Sequence, residues 1–261
     1  MTRGAALGSA LTLTLLASAS AGASSAATPP LALAASPAHV QLDGAGRTTV
    51  RVTNRGGQRV VVDVSRAGFA LDVRGRPRIV VVTRARRTAA SWLTFRPRTV
   101  ALAPHASASV SIASRLPRRV EPGDHDALLL LTTRPRREGG VAARMRMGIV
   151  MVVRAPGRVV HRLALGAIHV ARAVRGRALE LVVANRGNVT ESFARSRAVV
   201  SLEHGGRDIA RLVAEPRELR SLTTGVFRFR YRSSLSGRAT ARVELRSDFG
   251  RVVRKAFRVR L

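Results

Sequence analysis

Phe227, Phe229 and Tyr231 alternate with Arg228, Arg230 and Arg232. Aromatic faces beside basic groups equip a protein for single-stranded nucleic acid, where rings stack on bases and guanidinium groups follow the phosphates. Strict alternation on a strand, however, sends the rings to one face and the arginines to the other. The stretch therefore reads as a core strand with a basic exterior. Arg251, Arg254, Arg258 and Arg260 read the same way, and they share a face with Arg242 and Arg246 if the last two strands form a hairpin. Arginine forks match phosphate geometry in a bidentate manner. The plainer role of such a face is a solvated edge that resists strand-to-strand aggregation. The candidates for contact with an anionic polymer are Arg228, Arg230, Arg232, Arg242, Arg246, Arg258 and Arg260, with Trp92 as a platform for a sugar ring.

Trp92 is the only tryptophan, and beside Phe95 it is expected to anchor a core or a strand edge, since large aromatics dominate cores. Asp124, His125 and Asp126 follow Pro122-Gly123 and precede the apolar run Ala127 to Leu131. A metal site or a general base there needs ligands converging from elsewhere. His39, His105, His161, His169 and His204 show no ligand spacing, so the triplet reads as a polar turn. No nucleophile elbow, phosphate loop or zinc motif occurs. The expectation is a protein that is not an enzyme and has no metal or cofactor. Asn188-Val189-Thr190 matches a glycosylation acceptor, a match that carries no meaning if the protein is bacterial.

The 261 residues carry a net charge of +31, and Lys255 is the only lysine. So strong an arginine bias suggests a GC-rich coding sequence. A surface this basic still attracts polyanions over long range. There is no cysteine, hence no disulfide and no thiolate metal site. Arg3, the apolar stretch Ala5 to Leu16 and the small residues up to Ala27 read as a signal peptide, residues 1–27, with cleavage after Ala19, Ala23 or Ala27. The longest later apolar run, near Met147 to Val153, is far below the roughly 20 residues of a membrane helix.

The elements that must position these groups are short strands. Val50, Val52 and Asn54 alternate with Arg51 and Thr53. Leu179, Leu181 and Val183 alternate with Glu180 and Val182, and Val243 and Leu245 with arginine and glutamate. Phe257, Val259 and Leu261 close the chain in the same pattern. Period two marks strands with one buried face. Turns at Asp43-Gly44, Arg74-Gly75, Gly205-Gly206 and Asp248-Phe249-Gly250 separate them. Only Arg207 to Val213 suggests a turn of helix. The run from Val50 to Gly56 resembles that from Leu181 to Gly187, each ending in Asn-Arg-Gly. This predicts an all-β chain of two tandem Ig-like β-sandwich domains, 31–155 and 158–261, joined at Arg154-Ala155-Pro156-Gly157-Arg158.

The first domain resembles the amino-terminal domain of the WxL-interacting proteins of Gram-positive bacteria. The residues that carry this are Ser36-Pro37-Ala38, Val52-Thr53-Asn54-Arg55-Gly56, Trp92-Leu93-Thr94-Phe95 leading to Pro97, and Leu102-Ala103-Pro104. They continue with Leu116-Pro117, Glu121-Pro122-Gly123-Asp124-His125, and Gly148 to Val153 ending at Pro156-Gly157. The resemblance implies peptidoglycan binding by the first domain and a host or partner surface protein for the second. Members of that family end in a transmembrane helix and a basic tail, whereas this sequence stops at Leu261 inside an apparent strand.

The leading expectation is a non-catalytic, secreted cell-envelope protein that binds peptidoglycan, an anionic wall polymer or a surface protein. Pilus chaperones share the two-sandwich plan. A periplasmic or extracellular chaperone-like assembly factor that adds an exposed edge strand to a client is therefore the alternative. A basic nucleic-acid binder ranks below both.

Overall fold

The computed structural model describes residues 31–80, 88–138, 141–173, 176–232 and 236–261. The segment 1–27, assigned to a signal peptide, lies outside the described residues. The first half of the chain forms β1 (Leu33–Ser36), β2 (His39–Asp43), β3 (Arg47–Asn54), β4 (Val60–Leu71), β5 (Pro77–Val80) and β6 (Leu93–Arg96). It continues with β7 (Thr99–Leu102), β8 (Ser107–Ser114), β9 (Gly123–Thr133), β10 (Arg136–Glu138), β11 (Val141–Ala143) and β12 (Arg146–Ala155). The second half forms β13 (Leu163–Arg172), β14 (Arg177–Asn185), β15 (Glu191–Phe193), β16 (Ala198–His204) and β17 (Arg207–Val213). It ends with β18 (Arg217–Leu219), β19 (Thr224–Tyr231), β20 (Arg238–Arg246) and β21 (Val252–Arg260). No helix among the described residues is long and apolar enough to cross a membrane.

The first sandwich packs the sheet β1-β3-β8-β6 on the sheet β2-β12-β9-β4-β5, with β7 paired to β4. Val50, Val52, Val110 and Ile112 from one sheet meet Leu129, Leu131, Met151 and Val153 from the other, all essentially excluded from water. Each such side chain contributes about 1.5–3 kcal/mol through its burial. The first strand changes sheets at Pro37: β1 pairs antiparallel with β3, whereas β2 pairs parallel with β12. Proline has no N–H to donate to a ladder, so pairing breaks there and resumes on the other sheet.

The second core is separate from the first. Sheets β13-β14-β19 and β17-β16-β20-β21 enclose Leu179, Leu181, Val200, Phe227, Phe229 and Val243. The alternation read from β3, β14, β19 and β20 is the burial pattern observed. The expected turn of helix at Arg207 to Val213 is instead β17, paired with β16. Its register shifts between Leu202 and Glu203, where Ile209 is inserted as an extra residue. Such a bulge interrupts the period of two and imitates helical spacing.

The run Ala127 to Leu131 is buried on both faces. Ala127, Leu129 and Leu131 enter the main core, while Leu128 and Leu130 join Ala67 and Phe69 in a smaller cluster on the outer face of the same sheet. That cluster turns towards the second sandwich.

Candidate functional site

Asp124, His125 and Asp126 are the opening residues of β9, at the joint between the sandwiches. Asp124 is 1 % exposed. Its carboxylate accepts from the Arg154 guanidinium at 2.7 and 3.2 Å, and from the backbone N–H of Thr190 at 2.7 Å. The Asp124 amide donates to the Asn188 carbonyl at 2.7 Å, and its own carbonyl accepts from the Ser221 hydroxyl. The Asn188 side chain donates to Pro122 and Arg158 carbonyls and accepts from Val160 N–H at 2.7 Å, which clamps the connecting segment. The bond to Asp124 holds the Arg154 guanidinium above its usual pKa, and this outweighs partial burial. Gly123 makes the contact possible: its φ is +104°, and a Cβ there would lie 2.1 Å from the Asn188 carbonyl oxygen. The acidic triplet is thus a structural fastening. No group of three His, Cys, Asp or Glu side chains among the described residues is placed to hold a metal.

Trp92 closes a 3-10 turn (Ala90–Trp92), half-buried against the first core, with its ring centroid 4.5 Å from that of His125. It supports the joint from below. His125 in turn bonds the Glu121 carbonyl at 2.8 Å.

The arginines singled out in the sequence fall on two separate surfaces. Arg228 and Arg230 project from β19 beside the cleft between the sandwiches, facing Glu180 at 3.7 Å and Glu215 at 2.9 Å. Arg232 is exposed just beyond β19. Arg242, Arg246, Arg258 and Arg260 lie on the outer face of the β20–β21 hairpin, on the other sheet. There Arg242 pairs with Glu203, and Arg246 and Arg254 share Glu244.

The cleft, a space of about 710 Å³, has no counterpart among the features read from the sequence. Phe69, Leu71 and Val150 form its apolar floor. The tip of the β4–β5 hairpin crosses it: the Val73 carbonyl accepts from Val226 N–H at 2.7 Å, and Arg74 meets Glu180 at 4.0 Å. Arg217 lies in the wall with its guanidinium 4.9 Å over the Phe227 ring, donating to the Val226 carbonyl. Burial pushes its pKa below the usual value.

β12, which lends Val150 to the cleft floor, has an open edge before that residue. β9 pairs with its whole length, but β2 covers the opposite side only from Val150 to Arg154. From Arg146 to Ile149 no strand among the described residues occupies that side. Met145, Met147 and Ile149 recur at every second residue there and pack against the end of the core. The period of two was readable in the sequence, but that one side of the strand stays unpaired was not, because it depends on where β2 ends.

No family model matches the chain, and no curated protein matches it in sequence. Solved structures do match. The class 5 fimbriae chaperone CfaA superposes with a TM-score of 0.51 at 9% identity, over 86% of this chain and 98% of that one. A chaperone–tip adhesin complex of CFA/I fimbriae biogenesis gives a TM-score of 0.52 at 11% identity, over the same shares. The fold is that of the fimbrial chaperones.

This corrects the resemblance to WxL-interacting proteins. The proline-turn-strand pieces that suggested it are spacers of an Ig-like sandwich: Pro37 marks a sheet change, and Pro97 and Pro104 flank β7. Peptidoglycan and anionic wall polymer fall as expected partners, and cell-wall binding falls as the function. Trp92 is engaged with His125, and most of the candidate arginines face carboxylates, so neither feature required a wall ligand.

Proposed function

We propose that this chain is a chaperone-like assembly factor, without enzymatic activity, that offers the open edge of β12 to a client subunit. The observation that carries the reading is the unpaired side of Arg146–Ile149, where the half-buried Met145 and Met147 alternate at the end of the first core. Strand addition uses main-chain bonds for affinity and alternate side chains for specificity, and this edge supplies both. The fold supports it, since one similar structure is a chaperone bound to a tip adhesin. The amino-terminal sequence supports an extracytoplasmic location. Two separate buried clusters support the division into 31–155 and 158–261.

The test is co-refolding with a pilin-type subunit whose Ig-like sandwich lacks its last strand. A one-to-one complex on size exclusion, lost with Met147→Arg, is the expected result. A complex that forms equally well with Met147→Arg would remove β12 from the account.

A further inference from the structure

The outer face of the β1-β3-β8-β6 sheet differs in its charge from the arginine-bearing faces of β19 and of the β20–β21 hairpin, where carboxylates lie among the guanidinium groups. None of its four strands contains an acidic residue. In register across it, Arg47 on β3 lies beside Ala113 on β8, and Ala113 beside Thr94 on β6. One step along, Thr49 lies beside Ser111, and Ser111 beside Arg96. The central strand therefore carries small side chains, flanked by longer ones. The result is a dent, with Arg115 at its rim. Strands in a sheet lie about 4.8 Å apart, so β3 and β6 stand about 10 Å from each other. Arg47 and Arg96 line the dent from its opposite walls.

These guanidinium groups differ from those on β20 and β21, where Arg242, Arg246 and Arg254 lie against Glu203 and Glu244. Among the described residues Arg47, Arg96 and Arg115 make no ion pair. Hydroxyls of Thr49 and Ser111 stand between them. Guanidinium forks with hydroxyl donors and no nearby carboxylate suit a phosphate group, whose oxygens accept several bonds at once.

We propose that this dent binds a phosphate group, either free or as the headgroup of a phosphomonoester lipid. The proposal does not depend on the strand-offering reading, because the dent lies on the sheet opposite the one that carries β12.

Two arms separate the sources, both at fixed ionic strength because exposed charge is screened by salt. In one, inorganic phosphate is titrated into the full chain while the backbone amides of Thr94 and Ser111 are followed by NMR. In the other, the chain is floated with phosphatidylcholine vesicles with and without phosphatidic acid. Saturable shifts in the first arm indicate free phosphate, and flotation only with phosphatidic acid indicates the headgroup. Either is expected to weaken about tenfold in Arg47→Gln/Arg96→Gln. The control Arg242→Gln/Arg258→Gln removes the same charge elsewhere and is expected to bind as the parent does. All four positions are exposed, so both variants should unfold at the parent midpoint. Absence of saturable binding in both arms, or equal weakening by the control, overturns the proposal.

Discussion

Asn54 and Asn185 occupy the same place in the two sandwiches and make the same bonds. Each ends a long strand of its core and is essentially buried. Asn54 accepts from Gly56 N–H at 2.9 Å and donates to carbonyls of Gln58, Ala103 and Leu102 at 2.7, 3.0 and 3.4 Å. Asn185 accepts from Gly187 N–H at 2.9 Å and donates to Val189, Leu219 and Arg220 at 2.7, 3.0 and 3.1 Å. One amide thus ties a turn to a distant strand end in each half. Replacing either by alanine leaves buried carbonyls unsatisfied, at about 1–3 kcal/mol for each group. Asn54→Ala and Asn185→Ala should each lower the urea midpoint, with the first change confined to the first sandwich.

Gly123 should tolerate no side chain. A Cβ would meet the Asn188 carbonyl at 2.1 Å, and φ is already in the region that disfavours other residues. Gly123→Ala should force the joint apart while both cores stay folded. Small-angle scattering is expected to show a larger radius of gyration with unchanged far-UV dichroism.

Removing Arg154 should cost more than removing any exposed arginine. Asp124 would remain as a buried charge bonded only to the Thr190 amide. Breaking one side of such a pair typically costs about 3–5 kcal/mol. Denaturant titration of Arg154→Ala against Arg258→Ala checks this, with a near-zero effect expected for the second.

Asp63 gives a pH signature of opposite visibility. The bond from Arg134 holds its carboxyl below the usual range, against a smaller opposing effect of desolvation. A folded pKa below the unfolded one means that the contribution to stability is present at neutral pH and is lost as pH falls through the folded value. The pair is exposed, so its effect on stability is slight. NMR titration should nevertheless show Asp63 titrating low, and Arg134→Ala should move it upwards.

Met147→Arg should leave the unfolding midpoint nearly unchanged, because the residue is only half-buried at the sandwich end. The same change should abolish complex formation with a strand-deficient subunit. Destabilisation equal to that of Asn54→Ala would mean that Met147 serves the core and not a client.

The fold was largely legible because burial in a sheet leaves a local trace. Phe227, Phe229 and Tyr231 are inside, and Arg228 and Arg230 outside, as their alternation required. The likeness of Asn54 to Asn185 was also local, two copies of Asn-Arg-Gly after an alternating run. What was not legible depends on distant partners. Asp124 reads as a turn residue until Arg154 and Thr190 are brought to it across the joint. Ile209 reads as helical because the bulge opposite Leu202 is invisible in one strand alone. An open edge is an absence of pairing, so Arg146–Ile149 looked like any other apolar strand. The arginines were the loudest signal and the least specific, since the glutamates facing them come from other strands.

Hydrogen exchange of the full chain, with and without a strand-deficient pilin-type subunit, tests the central claim most directly. The account predicts that the amides of Arg146 and Gly148, which face the open side, gain protection on mixing, while those of Val150 to Arg154, already paired with β2 or β9, change little. Protection that appears on β6 or β19 and leaves Arg146 and Gly148 unchanged would contradict it.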